Sequence, residues 1–90
     1  MSAPQKDGSG AYPLLVSSLL AGDVTEFKPA DVLEWGDVTE ETVDGIRQWR
    51  VELVYEVETM FGPFDVTACA YVKDGKVVKW VYLGSGEVIP

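Results

Sequence analysis

Residues 46–58, IRQWRVELVYEVE, decide the fold because apolar and polar side chains alternate along most of this stretch. The regularly spaced apolar positions are Trp49, Val51, Leu53, Tyr55 and Val57. A period of two indicates a β-strand with one face buried and one face towards solvent, which is typical of an antiparallel sheet. The core is therefore expected on one face of such a sheet.

Two turn signals after this strand predict a meander. The connection at residues 60–63 contains a glycine and a proline, so residues 64–73 are expected to return as a second strand. Asp74-Gly75 is a preferred pair for a two-residue type I′ turn, which predicts a further strand at residues 76–83.

A short helix is predicted between Pro13 and Gly22, because proline suits the first turn of a helix and glycine commonly follows the last. Its apolar side chains are expected to cover the sheet, since so short a helix is marginal alone in water. The side chains proposed as this cover are Leu15, Leu19 and Leu20.

The remaining segments complete the predicted architecture. Residues 32–35 are interpreted as a weak strand ending at Gly36, or as a helical turn that follows Pro29. Residues 1–11 are small and polar and predict a flexible tail. The fold class expected for residues 12–90 is a single α+β domain, one short N-terminal helix packed on an antiparallel meander of about four strands.

Counting outward from the turns assigns each strand residue to a face. The predicted pairs include Lys73 with Lys76, Cys69 with Trp80 and, across a four-residue connection at 60–63, Thr59 with Phe64. The core face then holds Val51, Leu53, Tyr55, Val57, Val66, Ala68, Ala70, Val72, Val77, Val81 and Leu83, with Lys79 as its one interruption.

The opposite, open face of the sheet carries an apolar and aromatic stripe, which predicts an interaction surface. Its members are Val54, Cys69, Tyr71, Trp80 and Tyr82. Three coverings are compatible with the pattern. They are another segment of the same chain, a second copy docking through this face or an edge, and a ligand or foreign protein.

Charge is unevenly distributed along the chain, whose formal net charge is −8. Residues 23–44 contain eight acids and one base, whereas residues 71–80 contain three lysines and one aspartate. The acidic segment is interpreted as a solvated edge, as a docking surface for a basic protein, or as a divalent cation site, although it lacks the spacing of a calcium loop. The acids proposed for contact are Asp31, Glu34, Asp37, Glu40 and Glu41.

The composition argues against catalysis. A chain without histidine has no imidazole base and none of the common imidazole metal sites. The predicted neighbours of Cys69 include no cation that would activate its thiol, and Glu52, Glu56 and Glu58 lie on an open face. We therefore expect no enzymatic activity, no cofactor and no bound metal.

The net charge and the length of the apolar stretch also limit the classes of partner that are expected. A net charge of −8 disfavours nucleic acid and anionic membranes, and the apolar stretch at residues 14–21 is too short to cross a bilayer. The expected partner is another protein or a second copy of the chain. The single Cys69 forms no intramolecular disulfide, so the cytoplasm is the default expectation for a compartment that the sequence leaves open.

Residues 55–64, YEVETMFGPF, and residues 71–78, YVKDGKVV, resemble a group of small, mostly uncharacterised bacterial α+β domains. That group joins two strands at Asn-x-Phe-Gly-Gly and has a Gly-Lys-Val turn in its last hairpin. Here Thr59 replaces the asparagine and Pro63 replaces the second glycine. The resemblance implies a fold, a non-enzymatic or unknown role, and no catalytic residues.

These observations predict a non-enzymatic interaction or accessory domain. It would act, or self-associate, through the open face or an edge of the sheet. The alternative prediction is an acidic inhibitor or nucleic-acid mimic that presents carboxylates to a basic protein.

Overall fold

The computed structural model describes residues 3–90 and confirms the α+β fold. The elements are α1 (Pro13–Leu20), a 3₁₀ turn (Pro29–Asp31), β1 (Val32–Val43), β2 (Ile46–Thr59), β3 (Gly62–Lys73) and β4 (Lys76–Tyr82). The four strands form one antiparallel sheet in the order β1-β2-β3-β4. Of the predicted flexible tail, Met1 and Ser2 lie outside the described residues, and Asp7 begins a turn in which its N–H donates to Ala11 O at 2.8 Å.

The first hairpin follows the same turn rule as the last. Asp44 and Gly45 have φ values of 50° and 77°, and Asp74 and Gly75 have 51° and 75°. Positive φ at both central residues is the requirement of a type I′ turn. The Asp-Gly pair at 44–45 therefore carries the same turn signal as the pair at 74–75.

The weak strand predicted at residues 32–35 does not end at Gly36, because β1 continues to Val43. The pairing with β2 is irregular between Trp35 and Val38, so Gly36 lies at a bulge. A Cβ at this position would lie 2.6 Å from the carbonyl oxygen of Glu52, which only glycine avoids. The carbonyl of Gly36 accepts a hydrogen bond from Tyr12 Oη at 2.6 Å.

The predicted register between β2 and β3 is wrong by two residues, but the predicted faces are correct. The turn contains only Met60 and Phe61, so Thr59 pairs with Gly62 rather than with Phe64. Because side chains alternate with a period of two, a shift of two residues leaves each side chain on the same face.

The predicted register between β3 and β4 fails after the first two pairs. Lys73 pairs with Lys76 as expected, but a bulge follows, and Tyr71 then lies opposite Lys79. Cys69 consequently pairs with Val81 and not with Trp80. One extra residue in a strand exchanges the two faces beyond it.

This bulge corrects several face assignments. Trp80 is 2% exposed and belongs to the core, with Tyr82 packed beside it. Lys79 and Val81 lie opposite Tyr71 and Cys69, and therefore on the open face. The bulge thus removes a lysine from the predicted core face and replaces it with a tryptophan, which is the more favourable side chain to bury.

The core lies between the sheet, α1 and the segment at residues 23–28. Leu15 and Leu19 of α1 are buried as predicted. Leu20, which was also predicted to cover the sheet, is instead 75% exposed. Phe27 stacks on Tyr55 with a centroid distance of 3.9 Å. The residues of the core cluster are Tyr12, Leu15, Leu19, Val24, Phe27, Val51, Leu53, Tyr55, Ala68, Ala70, Val72, Trp80 and Ile89.

Residues 84–90 run back along the outer edge of β4. Val88 bridges Val81, and the N–H of Ile89 donates to Trp80 O at 3.0 Å. Ile89 is 2% exposed and completes the core. The carbonyl of Pro90 accepts hydrogen bonds from the N–H groups of residues 25 and 26 at 2.9 and 3.1 Å.

Candidate interaction surface

The structure divides the predicted stripe of the open face. Val54, Cys69 and Tyr71 lie on this face, but Trp80 and Tyr82 lie on the core face. The predicted set of five side chains is therefore not one surface.

Cys69 sits at the centre of the open face and is only 1% exposed. It lies between Glu52 of β2 and Val81 of β4. Burial is the main cause that raises the pKa of its thiol, and the negative charge of Glu52 adds to this effect. A raised pKa keeps the group as a thiol, which is the poorer nucleophile.

Polar side chains shield the rest of the open face. Arg50 lies 3.8 Å from a carboxylate oxygen of Glu41 and 3.8 Å from one of Glu52. The Lys79 ammonium lies 4.9 Å from the ring centroid of Tyr71. This face therefore offers less bare apolar surface than the sequence pattern predicts.

The predicted acidic contact residues lie mostly on the outer strand β1. Asp31 is separate from them, in the 3₁₀ turn, where its carboxylate accepts a hydrogen bond from the N–H of Lys28 at 2.9 Å. Within residues 3–90, Glu34 and Asp37 have no basic group within 4 Å. Charged side chains on an edge strand discourage pairing with another sheet, so this placement agrees with a solvated edge.

The longest unsupported part of the sheet is the hairpin arm, defined as residues 56–65 at the ends of β2 and β3. The first pair of β1 is Val32 with Tyr55, and the last pair of β4 is Tyr82 with Ala68. Both neighbouring strands thus stop before the arm begins. Its two strands pair only with each other, from Glu56–Asp65 to Thr59–Gly62.

Hydrogen bonds fix the tip of the hairpin arm. The N–H of Phe61 donates to Thr59 Oγ1 at 3.1 Å, and this hydroxyl donates to Gly62 O at 2.8 Å. Gly62 has a φ of 103°, a conformation that favours glycine. The side chains of Met60 and Phe61 are therefore presented by an ordered turn.

The hairpin arm is apolar at its tip. Met60 is 90% exposed and Phe61 is 84% exposed, the two largest exposures of a bulky apolar side chain among residues 3–90. Phe64 is 52% exposed and pairs with Val57, so it extends the core side of the sheet beyond its cover. The sequence prediction used residues 60–63 only as a connection. The sequence signal for an exposed apolar tip is that Met60 and Phe61, two adjacent bulky apolar residues, occupy a turn, where small or polar residues are usual.

A second surface with exposed apolar side chains lies along the outer edge of β4, where the bulge exposes Val78. Its groove has a volume of about 340 Å³ and is called here the β4-edge groove. Val78 and Val88 are 53% and 69% exposed on its walls. The lining residues are Asp23, Val77, Val78, Lys79, Trp80, Val88 and Ile89.

Two kinds of site are absent from the part of the chain that runs from Ala3 to Pro90. No group of three histidine, cysteine or acidic side chains there is arranged to hold a metal ion. No helix in that part is long and apolar enough to span a bilayer.

Comparison with known proteins adds no relative. No family model matches the chain, and neither a curated protein nor a solved structure is detectably similar to it. The resemblance of residues 55–64 and 71–78 to small bacterial α+β domains therefore stays a prediction.

Proposed function

We propose that this chain is a non-enzymatic interaction domain that docks onto a protein partner through the hairpin arm. The observation that carries the proposal is the exposure of Met60 and Phe61, at 90% and 84%, on an ordered turn. Burying a side chain of this size contributes about 1.5 to 3 kcal/mol. Apolar patches of this kind mark contact surfaces in soluble proteins.

The charges of the hairpin arm favour a protein as the partner. Glu56, Glu58 and Asp65 lie within the arm, and no lysine or arginine does. These carboxylates repel phosphate groups, whether of nucleic acid or of anionic lipid.

An acidic inhibitor of a basic protein is the second candidate, and the uncompensated charges of Glu34 and Asp37 favour it. It assigns the contact to β1 instead of to the arm. Binding that depends on Glu34→Gln with Asp37→Asn, but not on Phe61→Ser, would identify this candidate and contradict docking through the arm.

Photo-crosslinking in the source cell tests the arm directly. The photoreactive amino acid p-benzoylphenylalanine replaces Phe61 in one variant and Leu20 in a control, since Leu20 is also 75% exposed but lies on α1. We expect a discrete protein adduct from position 61 and none from position 20. Failure of position 61 to form an adduct, or equal adducts from both positions, would show that the arm is not a docking surface.

A further inference from the structure

We infer that the partner of the hairpin arm is a second copy of this chain, whose β4-edge groove receives Met60 and Phe61. The inference rests on the proposed function, because it names the occupant of the same surface. Three features of the described residues support it: matching apolar surfaces, opposite charges and the positions of the two surfaces in the sheet.

The apolar surfaces match in kind. The tip projects two bulky side chains, and the β4-edge groove is a concave surface with Val78 and Val88 exposed on its walls. Beneath them lie Trp80 and Ile89, which are each 2% exposed. A projecting apolar tip can therefore bury itself against the exposed valines of this groove, whose lining also contains Asp23 and Lys79.

The charges are opposite where the two surfaces would meet. Glu56, Glu58 and Asp65 flank the tip. Lys79 lines the groove, with its ammonium over the Tyr71 ring of the adjoining open face, and Lys76 begins the same strand. Asp23 also lines the groove, and its carboxylate accepts a hydrogen bond from Ser18 Oγ at 2.6 Å. Opposite local charges favour this orientation, although each chain has a net charge of −8. At physiological salt the Debye length is about 8 Å, so distant repulsion is screened more than contacts at the interface.

The positions of the two surfaces make the contact intermolecular. The tip follows Thr59 at one end of the sheet, whereas Val77 pairs with Val72 near the other end. Val72 is ten positions after Gly62 along β3, and at about 3.3 Å per residue a tip cannot reach its own groove. Contact between unlike surfaces is heterologous, and where it does not close into a ring it propagates as an open head-to-tail chain of copies.

Sedimentation of two complementary variants tests this assembly. Met60→Ser with Phe61→Ser disables the tip, and Val78→Asp with Val88→Asp disables the groove. A contact this small is expected to be weak, so concentrations run from about 1 µM to about 1 mM. Leu20→Ser with Leu83→Ser is the matched control, because both leucines are exposed and lie outside the two surfaces.

The expected results are specific to contact between unlike surfaces. Wild-type chain and the leucine control should form dimers and longer oligomers as concentration rises, whereas each disabled variant alone stays monomeric. An equimolar mixture of the two disabled variants should form a 1:1 dimer and nothing larger. Unfolding in urea verifies that each variant retains the fold.

Other results would overturn the inference. A monomeric wild type, self-association of the groove variant, or a mixture that stays monomeric would each exclude contact between tip and groove. If the wild type is monomeric but the crosslinker at position 61 captures a different protein, this inference is wrong and the proposed function stands.

Discussion

At the scale of single residues, the carboxylate of Glu26 links the segment at residues 23–28 to strands β2 and β4 by hydrogen bonds. It accepts hydrogen bonds from Tyr55 Oη at 2.5 Å and from Tyr82 Oη at 2.6 Å. Burial is the main cause that raises the pKa of Tyr55, and the hydrogen bond to Glu26 adds to it. For Tyr82 the hydrogen bond to Glu26 is the main cause that raises the pKa.

The raised pKa of Tyr55 predicts a loss of stability in alkaline solution. Above the unfolded-state value of about 10, the unfolded chain releases the phenolic proton before the folded chain does, so the free energy of unfolding falls as pH rises. The stabilisation is fully present below that pH. Because Tyr55→Phe removes the phenolic group, the free energy of unfolding of this variant should fall less with rising pH than that of wild type. The difference in stability between the two proteins should therefore shrink between about pH 9 and about 11. Urea unfolding at each pH measures the difference, and parallel curves would contradict the assignment.

At the scale of the elements, the sequence pattern predicted the faces wherever alternation was uninterrupted. The alternation in β2 assigned Val51 and Leu53 to the core correctly, and even the error of two residues in the β3 register preserved the faces. The bulge at Val78 was not predictable by counting from a turn. Tertiary packing stabilises the bulge, because the bulge lets Trp80 be buried against α1 and Phe27.

Deleting single residues distinguishes a bulge from a regular strand. Removal of Val78 should leave the fold intact, because the remaining pairs keep Trp80 on the core face. Removal of Thr67, which lies in the regularly paired part of β3, should unfold the domain by exchanging the faces on one side of the deletion. Circular dichroism and urea unfolding compare the two deletions. Equal loss of structure in both would argue against the bulge.

At the scale of the whole molecule, the charge count predicted the acidic segment but not the hairpin arm, which is the candidate site. The acidic segment at residues 23–44 was recognised from composition, and its later part forms the outer strand β1. The hairpin arm was missed because its exposure depends on where the two neighbouring strands end. β1 begins where the 3₁₀ turn at Pro29–Asp31 ends, and β4 ends where residues 84–90 turn back along its edge.

The net charge of −8 predicts that salt stabilises the folded domain. Like charges repel more strongly in the compact state, and raising salt from about 0.01 M to about 1 M screens them. Glu34→Gln with Asp37→Asn changes the formal charge from −8 to −6 and should reduce the salt dependence of the melting temperature.

The opposite change is the control for this prediction. Lys28→Gln with Lys76→Gln makes the formal charge −10 and should increase the salt dependence. Thermal melts of the three proteins across the salt series make the comparison. Identical salt responses would show that self-repulsion does not set the stability.

The bulge also makes the alignment of β4 dependent on α1. A regular hairpin from the Asp74-Gly75 turn would place Trp80 opposite Cys69, and nothing within the hairpin opposes that arrangement. The observed alignment is selected by the pocket beneath α1, where Trp80 Nε1 donates to Ser18 Oγ at 3.0 Å. Phe27 and the backbone of Ile89 also hold Trp80 in this alignment, so we expect the regular register, with the indole on the open face, only where these contacts and α1 are lost together. The solvent exposure of Trp80 is therefore expected to depend on whether α1, about sixty residues earlier in the chain, is docked on the sheet.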